Sequence, residues 1–570
     1  MLEYELSQTP SQSAESLDRR DEARRDDQPS QASRYIEAAT QTDPEKENAL
    51  IEASPFLSGF KLAAVVIGTT LVIFLIMLDV SIISTAVPRI TSEFHALDDV
   101  GWYAAVYQLA SSSFQPLTGK FYTHFSSKWT FIVFVLIFEV GSLVCGLATS
   151  SSMFIGGRAI AGIGGSGLIN GGLTIISGTV PVERRALFTS IMMGFGQLGL
   201  ISGPLIGGAL TEYSTWRWCF YMNLPIGFAA LALLVSIHVP DITAKAPFNK
   251  ELIKKVIPQL DLIGFALFVP AALMFLLALQ WGGNDYPWNS PVVICLFWGA
   301  GFAAIAFIFW ERRVGEKAMI PGSILRDRVA MCSAVQGMFL LGTVFTASYY
   351  FPMYFQAVKG AGPTMSGVDL LPSILSQLCT TVLSGYLTTR LGYYLPWPIA
   401  AGVLSAIGNG LVSTFTPTTT TGQWIGYQIL LGAGRGAGMQ MAMIAIQNNL
   451  PGRQIPVGIA FQVFCQNIMG ACLLSIASVI FTQSLAAELP RLAPSVTPAA
   501  ASAAGGSASA VRGLLPEGSP ELEGLLEAFS IGVDRVFYML SALSVVSFIA
   551  AWGMGWKDTR KRANAGKGSA

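Results

Sequence analysis

Long apolar runs dominate the pattern of hydrophobic and polar positions along this chain. A membrane-spanning helix needs about 20 mainly apolar residues, and fourteen stretches reach that length. They lack the two-residue alternation of membrane β-barrel strands, so we predict helices. The predicted fold class is an all-α membrane protein with 14 transmembrane helices, at 62–86, 100–119, 129–149, 154–178, 187–210, 218–238, 260–280, 291–310, 331–352, 366–386, 395–413, 424–446, 457–483 and 532–553.

Positively charged residues between these stretches indicate the orientation of the chain. Twenty Lys and Arg residues fall in the even-numbered connections and the C-terminal segment, against five in the odd-numbered connections. Because cytosolic loops carry the excess of Lys and Arg, both termini are predicted to be cytosolic.

Composition and charge narrow the function classes. Of 570 residues, 52% are hydrophobic and 12% charged, against about 25% charged in soluble domains. Lys plus Arg and Asp plus Glu both total 35, so no basic excess points to nucleic acid. Three His, no CxxC and no His/Cys/carboxylate constellation predict no metal, no cofactor and no enzyme. The expected partners are the lipid bilayer, a small-molecule substrate and protons, and we expect a monomer.

An internal repeat predicts the domain organisation. "FIGGRAIAGIGGSG" (154–167) aligns with "WIGYQILLGAGRGAG" (424–438) at an offset of 270, which pairs helices 1–6 with helices 9–14. Two such halves around a central site form a rocking transporter. The predicted units are a disordered cytosolic tail (1–60), an N-terminal six-helix bundle (61–239), a linker with two extra transmembrane helices (240–330), a C-terminal six-helix bundle (331–554) with a long outer loop (485–530), and a basic cytosolic tail (555–570).

Helix 5 contains the stretch "GLISGPLIGG" (199–208), in which glycine recurs every four residues. Gly199, Gly203 and Gly207 therefore share one helix face, with Pro204 and Gly208 beside them. A face without side chains lets another helix approach closely, and proline bends a helix. Taken alone, these residues favour ordinary small-residue packing; the alternative, which a family resemblance given below favours, is a bend and a tight interface at which the two halves close.

Asp79, Glu139, Arg158 and Arg435 lie well inside predicted membrane helices, where charge is expensive and usually functional. Asp79 (helix 1) and Arg158 (helix 4) lie at similar depth and are able to pair. Asp79 is then a proton carrier or half of a fixed ion pair. Arg158 retains its proton and would tune a neighbouring acid. Glu139 (helix 3) is a second proton carrier or a structural hydrogen-bonding group.

Polar side chains also suggest a substrate cavity and a gate. The possible cavity residues are Gln197, Arg435, Gln462 and Gln466. Each glutamine has helix–helix hydrogen bonding as its alternative, and Arg435 (helix 12) would meet an anionic substrate group or a carbonyl. The loop "GKFYTHFSSKW" (119–129), with Gly119, Lys120 and Lys128, lies on the predicted cytosolic side. Its resemblance to a family motif, given in the next paragraph, implies that it forms the cytosolic gate, and we call it the gate loop.

Several of these motifs resemble those of the major facilitator superfamily, in particular its fourteen-helix drug:proton antiporters. "GLISGPLIGG" resembles the antiporter motif gxxxGPxxGG, and "LDVSIISTAVP" (78–88) resembles LDxTIVNxALP. "GGRAIAGIGGSG" (156–167) resembles lxxxRxxqGxgaa, and "WRWCFYMNLPIG" (216–227) resembles a segment typical of the subfamily. The gate loop resembles GxLaDrxGrkxxl, but Thr123 replaces the usual Asp and Ser126 the usual Gly.

The resemblance implies a proton-coupled pump similar to fungal mycotoxin and multidrug efflux pumps. Asp79, Arg158 and the helix 5 motif would then serve proton coupling and exchange. The substrate would be a small apolar or amphipathic compound such as a secondary metabolite or toxin, exported across the plasma membrane, with a vacuolar or vesicle membrane left open. A transporter of siderophores or basic amino acids is the alternative. Without the usual Asp at 123, the gate is expected to use Lys120, Lys128 and neutral hydrogen bonds.

Overall fold

A computed structural model describes residues 56–96, 99–246, 248–283, 286–504, 508–516 and 518–558. Most of the predicted cytosolic tail (1–60) and of the predicted basic tail (555–570) lies outside these residues. All fourteen predicted stretches coincide with helices, which confirms the all-α fold class.

We number these helices by the predicted stretches. Helices α6, α10 and α12 are each interrupted once. The bounds are α1 Gly59–Phe94, α2 Val100–His124, α3 Ser127–Gly146, α4 Ser151–Thr179, α5 Val182–Tyr213, α6 Trp218–Tyr221 and Asn223–Val235, α7 Leu262–Trp281, α8 Pro291–Val314, α9 Arg328–Met353, α10 Pro363–Asp369 and Leu371–Leu391, α11 Pro396–Val412, α12 Thr421–Gly438 and Met441–Asn449, α13 Ile455–Leu492, and α14 Pro520–Trp552.

Twelve helices in the described residues are long and apolar enough to cross a membrane. The other two are α2 and α11. Helix α11 is apolar but has only 17 residues, and α2 has 25 residues that include several Ser and Gln and one Lys. The count of fourteen spans therefore stays a prediction, although both helices occupy their predicted positions.

Polar residues begin several of these helices at the predicted membrane surface. The side chains of Ser150, Ser290, Asp327 and Ser519 each accept a hydrogen bond from a backbone N–H three residues later. Thr420 and Gln423 form a reciprocal capping box at the start of α12. Such caps satisfy N–H groups that have no partner within the helix, so they fix where each span begins.

The two six-helix halves are each built from close helix pairs. Helix α1 packs on α5 and α3 on α4 in the first half, while α10 packs on α12 and α9 on α13 in the second. The halves meet mainly along two seams, α2 against α13 and α5 against α10. A central site between the halves would therefore be lined by these four helices and their neighbours.

The inserted pair α7 and α8 lies at the edge of the molecule. Helix α7 packs on α8, and it also contacts α2 and α13 at one of the seams. On α8, Trp298, Phe302 and Phe309 are exposed, as expected for side chains that face lipid. The insert thus covers a seam without entering either bundle.

The helices around the predicted outer loop (485–530) extend further than the hydropathy pattern indicated. Helix α13 continues to Leu492 and α14 begins at Pro520. Leu485 and Leu489 are fully buried in a cluster with residues of α14 such as Phe529. Packing outside the apolar run therefore keeps the chain helical, and the loop between these two helices is shortened to 493–519.

Candidate functional site

Asp79 of α1 and Arg158 of α4 form an ion pair inside the N-terminal half. Nη1 of Arg158 lies 2.6 Å from Oδ2 of Asp79, and the side chains are 1% and 0% exposed. The predicted pairing of these residues is therefore found in the structure. Because both charges are out of reach of water, each depends on the other for stabilisation.

Neighbouring helices hold both partners in place. Nε of Arg158 donates to the backbone carbonyl of Tyr103 at 3.1 Å, and the guanidinium lies 4.6 Å from the ring centroid of Tyr107. Nδ2 of Asn223 lies 3.5 Å from Oδ1 of Asp79 and 3.1 Å from Oγ of Ser142. Helices α2, α3 and α6 thus converge on the pair, and sequence reasoning assigned no role to these four supporting residues.

Glu139 of α3 is buried in the same half, with 7% exposure. Neither carboxylate oxygen has a hydrogen-bond partner among the described residues. A methyl group at Gly227 of α6 would collide with Oε1 of Glu139, so the carboxylate lies directly against the α6 backbone. The structural hydrogen-bonding role finds no partner here, and the proton-carrier role stays a prediction.

Glu93, Trp216 and Arg217 join α1 to the start of α6 on the predicted outer side. Oε2 of Glu93 accepts from Nε1 of Trp216 at 2.7 Å, and Nη2 of Arg217 lies 2.8 Å from Oε1 of Glu93. These hydrogen bonds, led by the one from Arg217, hold the pKa of Glu93 below its ordinary value. The "WRWCFYMNLPIG" segment therefore both links helices at the outer mouth and supplies Asn223 to the buried pair.

The glycine face of α5 packs on α1 of the same half, so our prediction that it meets the opposite half is wrong. Methyl groups at Gly199 and Gly207 would collide with the Phe74 carbonyl oxygen and the Thr85 hydroxyl, respectively. The periodicity identified a close-packed face correctly, but it carried no information about which helix lies against it.

Gly203 also packs on α1, whereas Gly208 faces open space. A methyl group at Gly203 would lie 2.6 Å from Cβ of Ser81, whose hydroxyl donates to the Leu200 carbonyl at 2.6 Å. A methyl group at Gly208 would meet nothing within 4 Å. Pro204 lies in α5, but its side chain is outside the described part of the structure. The predicted bend stays a prediction.

The predicted gate loop contacts both the linker and the C-terminal half. Nζ of Lys120 donates to the Lys317 carbonyl at 3.2 Å. The Thr123 hydroxyl lies 2.8 Å from the Gly119 carbonyl and 3.3 Å from the Arg453 carbonyl. Thr123, at the position of the usual Asp, thus makes a neutral contact between the halves.

Lys128 does not reach the opposite half. Its Nζ donates to the carbonyls of Val235 and Ile237 at 2.8 and 2.7 Å, so it anchors the end of α6 within its own half. The expectation that Lys128 closes the gate is corrected here, because its position at the start of α3 places it beside α6.

A second polar contact between the halves was missed by sequence reasoning. Nη1 of Arg185 donates to the Gln447 carbonyl at 3.0 Å, and the Gln447 amide donates to the Leu173 carbonyl at 3.3 Å. The Thr189 hydroxyl lies 3.4 Å from Oε1 of Gln447. In the described residues, the side-chain hydrogen bonds between the two bundles all lie at the predicted cytosolic ends of their helices.

The four residues predicted to line a substrate cavity do not form one group in the structure. Gln462 and Gln466 of α13 both direct their amide nitrogens at Gly337 of α9, and neither amide end of Gln462 has a partner among the described residues. Arg435 contacts Asn409 of α11. Gln197 is half-buried on α5, in the opposite half, and no described contact joins it to the other three.

Comparison with known proteins identifies the family. The model of the Major Facilitator Superfamily matches residues 69–473. The chain belongs to the major facilitator superfamily. It is accordingly a multi-pass membrane protein of a transporter family and not an enzyme.

Relatives within the superfamily match nearly the whole chain. It is 57% identical over 506 residues to "MFS-type transporter calB" of Penicillium decumbens, with 89% of this chain and 90% of that protein covered. It is 47% identical to "Efflux pump mlcE" of Penicillium citrinum (90% and 94% covered) and 38% identical to "Efflux pump aflT" of Aspergillus parasiticus (90% and 98% covered).

A solved superfamily structure confirms the fold. The proton:xylose symporter XylE, bound to 6-bromo-6-deoxy-D-glucose, aligns with a TM-score of 0.56 at 13% identity, covering 88% of this chain and 98% of that one. At this identity the likeness concerns the fold alone.

Proposed function

We propose that this superfamily member is a proton-coupled efflux pump that exports a small amphipathic secondary metabolite across the plasma membrane. Relatives that match nine-tenths of the chain are named efflux pumps. The buried Asp79–Arg158 pair carries the proton-coupling part of the proposal, because an ionisable pair inside a membrane helix bundle usually has a role in transport.

Protonation of Asp79 would remove the partner of a buried cation. Among the described residues, Arg158 would then keep the Tyr103 carbonyl and the Tyr107 ring, which do not balance a full charge. An uncompensated buried charge is strongly unfavourable, so the bundle would favour a state in which Arg158 meets water or another anion. Proton binding thereby shifts the conformational equilibrium.

Glu139 supplies a second proton site in the same half. Its carboxylate has no hydrogen-bond donor in the described residues, and the Gly227 backbone allows it to lie against α6, the helix that also supplies Asn223 to Asp79. A proton accepted at Glu139 would neutralise a buried charge near the pair. We therefore assign Asp79 and Glu139 as the proton carriers and Arg158 as the residue that tunes them.

The halves would rock about the α2–α13 and α5–α10 seams. The hydrogen bonds of Gln447 and Thr123 join the halves on the cytosolic side, as expected of an arrangement that is closed to the cytosol. Proton loading from outside would then precede release of these contacts and substrate entry from the cytosol. The alternative substrates, basic amino acids, fit poorly because Arg435 places a positive charge at mid-membrane.

Reconstituted transport tests this proposal. In proteoliposomes, a proton gradient should drive efflux of amphipathic fluorescent compounds, and Asp79→Asn should reduce the rate at least about 100-fold, within the usual range for loss of an essential proton-transfer group. Glu139→Gln should weaken coupling between proton and substrate fluxes. Asp369→Asn, at a half-buried carboxylate in α10, is the matched control and should transport normally.

Gradient-driven transport by an Asp79→Asn protein that elutes as a monodisperse species and binds the compounds like the wild type would refute coupling through Asp79. No gradient-driven flux of any compound by the wild type would refute proton-coupled efflux itself.

A further inference from the structure

Arg435 occupies the centre of the C-terminal half, and no acidic partner lies beside it among the residues that the structure describes. It is the middle residue of the 29-residue span Thr421–Asn449 and is 3% exposed. Among the described residues, it takes part in none of the ion pairs, which involve Arg158, Arg217, Arg491 and Arg535. A guanidinium retains its charge at any working pH, so a full positive charge lies at mid-membrane.

The contacts of Arg435 are weak and neutral. Its Nη2 lies 3.4 Å from Oδ1 of Asn409, and its Nε is buried without a partner. Asn409 in turn donates to the hydroxyl of Ser544 at 3.1 Å. By contrast, the buried charge of Arg158 in the first half is balanced by a carboxylate at 2.6 Å, and its Nε donates to a backbone carbonyl.

The local backbone also marks this position. The α12 helix is interrupted after Gly438 and resumes at Met441, within two turns of Arg435. The end of a helix supplies at most about half of a negative charge, which leaves at least about half of the guanidinium charge unbalanced.

The side chain of Arg435 points away from lipid. Ile429 and Gly426 are exposed on one face of α12. Gln428 and Arg435 are seven residues apart, so they share a face, and both are buried. The Oε1 atom of Gln428 is likewise without a partner. This inward face of α12 therefore presents an unbalanced cation and an unused polar group.

We propose that Arg435 is the counter-charge for an acidic group of the transported compound, whose class is then an amphipathic organic acid with a carboxylate or an ionised enol. This inference rests on the proposed efflux function and deepens it. A carboxylate can accept two parallel hydrogen bonds from a guanidinium, and here it would satisfy Nε and an Nη together. Binding would supply the missing negative charge, so the acid is recognised more strongly than its neutral analogue.

Two matched compound pairs test the assignment on the purified full-length protein. They are 1-pyrenebutyric acid with its methyl ester and dansyl-undecanoic acid with its methyl ester, measured by fluorescence titration at pH 7.5. The wild type should bind each acid at least about 10-fold more tightly than its ester. Arg435→Gln should abolish this preference, and Arg435→Lys should retain part of it because the charge survives and the two-point geometry does not.

Thermal unfolding separates recognition from a structural role. Because Arg435 lacks an acidic partner, Arg435→Gln should leave the melting temperature of the ligand-free protein unchanged or raise it. Added acid should raise the melting temperature of the wild type but not of Arg435→Gln. Arg491→Gln, which removes a positive charge from an exposed outer position, is the control and should keep the preference for acids.

Equal binding of acid and ester by the wild type, including no binding of either, would overturn the assignment, as would an unchanged preference in Arg435→Gln. These outcomes leave proton-driven efflux intact if the Asp79-dependent flux persists. Loss of that flux together with a retained preference for acids would instead contradict the proposed function.

Discussion

At the scale of single residues, the Asp79–Arg158 pair stabilises the protein only while both partners are present. Removing one partner of a buried pair typically costs about 3–5 kcal/mol, whereas replacing both by neutral groups costs much less. The 2.6 Å contact and the near-zero exposure of both side chains place this pair in that class.

We therefore expect Arg158→Gln to lower the melting temperature in detergent more than the double variant Asp79→Asn/Arg158→Gln does. Arg158→Lys should fall between the wild type and Arg158→Gln, since it keeps the charge but loses the Nε bond to Tyr103 and the planar contact with Tyr107. A double variant that is as unstable as the two single variants combined would show that the two residues act independently.

At the scale of elements, the glycine face of α5 sets how closely it approaches α1. Gly199 lies against a backbone carbonyl, which cannot rotate away, whereas Gly207 lies against the hydroxyl of Thr85. Gly208 is in the same motif and the same helix, yet it has open space beside it. Gly208 therefore serves as a control for the effect of adding a methyl group at Gly199.

Gly199→Ala should destabilise the protein by about 1–3 kcal/mol through overpacking, measured by thermal or denaturant unfolding in detergent. Gly208→Ala should be neutral or stabilising by up to about 1 kcal/mol, because alanine favours the helix. Equal effects of the two substitutions would show that the α1–α5 approach is looser than the structure indicates.

At the scale of the whole molecule, the α2–α13 seam links the gate loop to the C-terminal half. A methyl group at Gly119 would lie 2.7 Å from Cα of Val457, so the two backbones nearly touch on the cytosolic side. Gly156 of α4 has nothing within 4 Å and serves as the matched glycine control.

Gly119→Ala should disfavour the arrangement that is closed to the cytosol, and a cost of a few kcal/mol is enough to move a two-state equilibrium. In a variant without the seven native cysteines, Thr189→Cys should then react faster with a membrane-impermeant thiol reagent applied from the cytosolic side. Gly156→Ala should leave this rate unchanged. Unaltered labelling in Gly119→Ala would show that the seam does not control access.

The sequence by itself located the helices and the buried charges, and it predicted their orientation and the inserted pair. These features depend on patterns within single helices, namely apolar length, Lys and Arg bias, and the expense of charge in a bilayer. The pairing of Asp79 with Arg158 could also be predicted, because the depth of each residue in the membrane follows from its position within its helix.

Only the tertiary structure decided which surfaces meet. A four-residue glycine period defines a face of α5, but α1 and the opposite half were equally compatible with it until the helices were packed. The Gln447 contacts join residues more than 250 positions apart, and the lack of an acid near Arg435 depends on side chains from several helices. Such facts belong to the packing between helices, which no local period encodes.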